Sequence, residues 1–208
     1  MIQINCIKIL YLKYIMATID IKTRDSIIKN GYLLSTLTKE RIWEEIKKSY
    51  KQVKDFTEYL NLLFELDLMK YIFPKLEIND DIKESGYLSI YIANLLKEND
   101  PQMLEKKLVL ELKIESEVVS KSCHLIRLLS LSPENAFLMY KDKIKCHVPD
   151  DMISEWASIN KLDKNLFDTF IIYKPTVSAE ELMSGGLKGK ELGEEIKRLE
   201  EEKFRDLL

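Results

Sequence analysis

The sequence predicts an all-α protein, and three observations predict it. Only 6 Gly and 5 Pro occur in 208 residues, too few for the closely spaced turns of a sandwich or barrel. Leu, Ile, Lys and Glu are abundant, which favours helix. Apolar residues recur at three- and four-residue intervals, and strand-rich runs bounded by turn pairs are absent. A hydrophobic content of 46% is enough for one sizeable core or two small ones.

Taken in order, residues 2–18 read as a helix that is apolar almost all round, and Ile21-Lys22-Thr23 leads into a second helix through about Leu34. The third helix has the best-specified start. Thr38 is placed as N-cap, Glu40 lies where the helix dipole favours a negative charge, and Leu37 with Ile42 has the spacing of a hydrophobic staple. Trp43, Ile46, Tyr50 and Val53 then line one face, while Lys47, Lys48, Lys51 and Lys54 crowd the other. One side is built for a core and the other for an anion. Phe56, Tyr59, Leu60, Leu63 and Phe64 form the next stripe, ended by a turn at Asp67 and the break at Phe73-Pro74.

Asn79-Asp80-Asp81 is expected to open a helix bearing Leu88, Tyr91, Ile92 and Leu95, which ends near Asp100-Pro101. Residues 108–114 alternate like a strand, but in helical surroundings they are expected to end one helix and begin a loop. Val118, Val119, Ser122, Cys123, Ile126 and Leu129 trace a further apolar face, with His124 beside it as a packed or solvent-facing residue. Ser132-Pro133 and Pro149 mark helix starts, the second for a helix carrying Met152, Trp156 and Ile159. Asp163 caps a helix with Leu166, Phe167, Phe170 and Ile171 inward. Ser178 to Glu181 is a capping-box pattern, stopped by Gly185-Gly186. Gly189 and Gly193 flank the start of a long last helix with exposed pairs Glu194/Arg198 and Glu201/Arg205.

The net charge of −3 conceals an asymmetry: residues 1–54 carry 11 Lys/Arg against 5 Asp/Glu, a net of +6, leaving −9 on the remainder. Such a basic segment attracts phosphates; its other reading is a solvated face in a Lys-rich chain. Cys6, Cys123 and Cys146 lack metal-ligand spacing and fit a reducing cytoplasm. Lys8 and Lys13 lie inside the apolar N-terminal run, which argues against a signal sequence, and the run is too short and polar to span a bilayer.

Leu37-Thr38-Lys39-Glu40-Arg41-Ile42-Trp43-Glu44-Glu45 resembles the Leu-Ser-x-Glu-Arg-Ile-x-x-Glu pattern that opens the RNA-binding neck of bacterial-type CCA-adding tRNA nucleotidyltransferases and poly(A) polymerases. Leu63, Leu66, Asp67, Leu68, Met69 and then Phe73-Pro74-Lys75-Leu76 are similar to that family's second block. Ser178 to Gly193 is similar to its tail segment. The resemblance implies an elongated multi-helix array: a neck over 1–76, a helical body over 77–175 and a tail over 176–208. It further implies a cytoplasmic protein that takes part in tRNA 3′-end processing by holding tRNA through backbone shape and charge.

The same resemblance locates what is not found. The family's nucleotide template of acids and arginines falls on residues such as Gln3, Ile4, Ile7 and Lys8, with Lys13-Tyr14 on an Arg-Phe pair, so the template is missing or altered. No Asp-x-Asp pair follows residue 54 to hold two catalytic metals, and Asp80-Asp81 and Asp150-Asp151 read as helix N-termini. The chain is therefore expected to be inactive alone and to need a separate catalytic head, which would carry the magnesium and the CTP or ATP. Candidate RNA contacts, by position and charge, are Lys39, Arg41, Lys47, Lys48, Lys51 and Lys54 in the neck and Lys188 and Lys190 in the tail. At the last two, a glycine-rich helix start either holds a phosphate or only packs two helices. The core spacing of the aromatics argues against base stacking. The competing reading is a helical protein-interaction module that has lost RNA and uses Ile7, Leu10, Tyr11 and Tyr14 against a partner. A metal-dependent hydrolase is disfavoured, because no His-Asp pair is present.

Overall fold

The computed structural model describes residues 20–207, and among them every regular element is a helix. The chain forms two compact units that divide between Ile126 and Arg127. The first helix of the sequence reading lies outside the described residues, as do Ile7, Leu10, Tyr11 and Tyr14.

In the first unit, α1 (Ile21–Asn30) starts at Asp20, whose carboxylate accepts from the Thr23 amide at 3.1 Å. The helix does not continue to Leu34. It tightens into a 3-10 segment over Gly31–Thr36, because Gly31 packs so closely on α4 that a Cβ there would lie 2.9 Å from Leu68 Cδ2. After α2 (Lys39–Gln52) come α3 (Phe56–Glu65) and the single turn of α4 (Met69–Ile72). Thr38 occupies the N-cap position of α2 with extended backbone, though its hydroxyl makes no capping bond.

Asn79-Asp80-Asp81 opens no helix; residues 77–86 form an irregular segment, and α5 begins only at Leu88 and runs to Leu96. Asn79 has a stronger alternative to capping: its amide donates to the Asn94 carbonyl at 3.1 Å, and its backbone N–H donates to Leu95 O at 2.8 Å. The segment is thereby strapped along α5, which is buried from Ser89 to Leu96. Asp100 and Pro101 start α6 (Pro101–Leu110), and the alternating 108–114 stretch ends that helix and enters a loop, as its surroundings predict. Helix α7 (Ser116–Arg127) buries Val119, Ser122, Cys123, His124 and Ile126, so His124 is packed; Leu129 is exposed and Leu128 is buried instead.

An aromatic cluster joins three of these helices. Tyr50, Phe56 and Tyr91 meet edge to face at 5.3 and 5.0 Å, and the Tyr50 hydroxyl donates to Gly86 O at 2.6 Å. Phe56, Tyr59 and Tyr91 are therefore core, as their spacing predicts, while Tyr50 is half-buried at the rim.

The second unit holds α8 (Ala136–Cys146), α9 (Asp150–Asn160), α10 (Lys164–Ile172), α11 (Ala179–Ser184) and α12 (Gly189–Arg205). Ser132-Pro133 begins a turn rather than a helix, because Asn135 Oδ1 accepts from the Ser132 amide at 2.9 Å and delays the helix to Ala136. Pro149, Asp163 and Ser178 each precede a helix as expected, and Asp150-Asp151 does form a first turn. Arg198 pairs with Glu195 and Glu202 rather than Glu194, while Glu201 and Arg205 pair at 2.7 Å. The core gathers Tyr140, Trp156, Phe170, Tyr173 and Phe204.

Several helices end in a left-handed residue that is not glycine: Asp67 after α3, His147 after α8 and Lys161 after α9, with φ of 56°, 51° and 53°. In each, the following apolar residue, Leu68, Val148 or Leu162, returns its N–H to a carbonyl five residues back, at 3.0 to 3.1 Å.

Gly31→Ala tests the approach of α4. The added methyl meets the fully buried Leu68 and also Tyr71 at 3.1 Å, and this overpacking outweighs the stiffening of the unfolded chain, worth ~0.4–1 kcal/mol. Urea unfolding is expected to show a net loss of about 1 kcal/mol.

Candidate nucleic-acid interface

Helix α2 is amphipathic because Ile42, Ile46 and Ser49 fall on one side and are buried together with Trp43 and Glu45. Its cations are consequently sorted by angle around the helix axis. Arg41, Lys48 and Lys51 share the outward face, at seven- and three-residue spacing, and Lys54 follows just past the helix end.

Lys47 sits at the edge of the buried stripe beside Trp43. Its ammonium and the Trp43 indole N–H both donate to the carboxylate of Glu115, one to each oxygen, and Lys47 also pairs with Glu44 at 2.7 Å. This clamp ties α2 to the loop between α6 and α7. Its hydrogen bond to Glu115 holds the Lys47 ammonium above the usual lysine range. Burial pushes Glu115 up, but the bonds from Lys47 and Trp43 outweigh it and keep the carboxyl below the usual range.

At the opposite edge, Lys48 pairs at 2.9 Å with Glu45, whose side chain is almost wholly buried. Burial, with Glu45 nearby, pushes the Tyr59 phenol up to about 12, so it stays neutral. Lys39 lies partly inside the fold: its ammonium donates to Tyr71 O at 3.2 Å, and burial pulls it below the usual lysine range.

Three of the six neck candidates are left outside such contacts. Arg41, Lys51 and Lys54 are exposed and make no ion pair among the described residues. In the second unit, Lys188 is the exposed N-cap residue of α12, and Lys190 pairs with Glu194 at 3.5 Å. The sequence reading passed over Lys22 and Lys29, seven residues apart on α1, which are likewise exposed without an ion pair among the described residues. Their position inside the basic first segment was the signal available. Arg24, between them, reaches Glu65 at 3.7 Å.

Residues 18–79 match a known family. Its description is "Probable RNA and SrmB- binding site of polymerase A". The match takes in α1 to α4 and both edges of the α2 helix, and it supports a polymerase A-type RNA-binding region in this part of the chain. No curated protein and no solved structure matches the chain. Within the polymerase A-type region, Lys22, Lys29, Arg41, Lys51, Lys54 and Lys75 are exposed without an ion pair among the described residues, whereas Lys39, Lys47 and Lys48 are engaged with the fold itself. Among the described residues no helix is long and apolar enough to cross a membrane.

The clamp has a pH signature. Glu115, depressed in the fold, contributes stability above its unfolded value that is lost as pH falls through the folded value; Lys47, raised, contributes below its unfolded value and loses it as pH rises through the folded one. Solvent reaches much of the Glu115 side chain, so the contribution is discounted to about 1 kcal/mol. Glu115→Ala is expected to lower stability by that amount in neutral urea titrations and to converge with the parent below the carboxylate range. An equal deficit at acid pH would show that the loss is one of packing, not charge.

Proposed function

We propose that residues 1–76, within the first unit, are an RNA-binding neck that holds tRNA for addition or repair of its 3′ end. The matched polymerase A-type region carries this reading, because the helix within it keeps Arg41 and Lys51 outward, with Lys54 at its end, while its other face is buried. Free, solvent-facing cations on a rigid helix suit backbone recognition, in which charge and shape set affinity. Lys22, Lys29 and, in the second unit, Lys188 and Lys190 are the further candidates; Lys39, Lys47 and Lys48 would contribute to the potential while holding α2 in place.

Nucleotide addition, in this reading, belongs to a separate nucleotidyltransferase head that brings the paired carboxylates, the magnesium and the CTP or ATP. The setting is cytoplasmic. The second reading, a helical protein-interaction module, is favoured by Met103 and Leu110, which lie exposed at seven-residue spacing on α6, and by the naming of SrmB beside RNA in the family's description.

Anisotropy titration of labelled tRNA lacking its CCA end, at several salt concentrations, tests the proposal. Log affinity is expected to fall linearly with log salt, and the Arg41→Glu/Lys51→Glu/Lys54→Glu variant to bind more weakly, with a slope smaller by about 2–3. Absence of binding at low salt, or a variant indistinguishable from the parent, would leave the protein-interaction reading.

A further inference from the structure

The second unit has a cleft of about 280 Å3, open to solvent on one side, between α8, α12 and the segment after α10. That size is at the lower end of small-ligand pockets, which run ~300–1,000 Å3. Its walls are Phe137, Tyr140, Ile144, Tyr173, Pro175 and Ile196, so they are apolar and half aromatic. Lys141 on α8 and Lys197 on α12 also line it; both are exposed and make no ion pair among the described residues.

One acid, Glu200, borders the cleft, and its charge is already directed elsewhere. The carboxylate accepts from the Tyr173 hydroxyl and from the Thr176 and Val177 amides, which together turn it toward the 173–177 segment. Gly193 leaves part of the wall empty, since a Cβ built on it meets no atom within 4 Å. An open apolar cleft with two ammonium groups on opposite helices, neither in an ion pair among the described residues, is complementary to one kind of molecule.

We infer that this cleft binds a small amphipathic monoanion, an apolar carboxylate whose hydrocarbon part fills the space between Tyr140, Tyr173 and Ile196 and whose carboxylate meets Lys141 and Lys197. Burial of the hydrocarbon supplies the affinity, and the two lysines select against neutral and cationic analogues. The inference does not depend on the RNA reading, since every residue it uses lies in the second unit.

The full chain is titrated with octanoate, octanol and octylamine, and binding is followed by calorimetry and by amide shifts in the NMR spectrum. Octanoate is expected to bind at least about tenfold more tightly than octanol, with octylamine weakest, and to shift the amides around Tyr173 and Gly193. Lys141→Ala/Lys197→Ala should abolish the preference for the acid while leaving the spectrum elsewhere unchanged. Gly193→Leu, a substitution toward better helix propensity, should fill the space and remove binding of octanoate and octanol alike without loss of the fold. Octanol binding as tightly as octanoate, octanoate shifts confined to other regions, or no octanoate binding at millimolar concentration would each overturn the inference.

Discussion

The first unit depends on one requirement: α2 has to bury Ile42, Trp43 and Ile46 before it can present anything on its other side. Apolar burial supplies most of the energy, on the order of 1.5–3 kcal/mol per large side chain, but it is not directional. Direction comes from the polar edges of the stripe. Trp43 and Lys47 share Glu115 at one edge, while Lys48 reaches the buried Glu45 at the other, so the helix cannot roll without breaking an ion pair. A basic face fixed in this way keeps one orientation against the fold.

Most of this was legible in the sequence, and the reason is periodicity. The Trp43, Ile46 and Tyr50 stripe is a local signal, and so is the aspartate that caps α10. The failures have a common cause. The local pattern of Asn79-Asp80-Asp81 predicts a helix start, whereas the Asn79 amide is taken by Asn94, fifteen residues away. Lys47 looked like one more surface cation, because nothing local reveals that Glu115 will arrive beside it across 68 residues. In both cases a long-range partner outcompeted a local preference. The division of the cations into outward and engaged could be seen only once those partners were placed.

The second unit solves the same problem with opposite signs. Lys143 is buried against Tyr140 and Phe170 and pairs with Asp150 in the first turn of α9, so one acid both suits the helix dipole and neutralises an interior cation. Glu200 is its counterpart, an interior anion held by a phenol and two amides rather than by a cation. An anion satisfied by neutral donors leaves the nearby cations uncommitted, which is why Lys141 and Lys197 have no carboxylate to answer to.

The helix ends that turn through Asp67, His147 and Lys161 use a backbone region that costs a side-chain-bearing residue roughly 1 kcal/mol relative to glycine. What keeps them there is the apolar residue that follows, Leu68, Val148 or Leu162, which closes the turn and packs inward. These corners give the chain evolutionary headroom. A glycine or asparagine at any of them would relax the backbone and add stability without replacing an outward cation of α2. A lineage under pressure to change its basic surface, or to operate at a higher temperature, thus has compensating substitutions within reach that leave that surface alone.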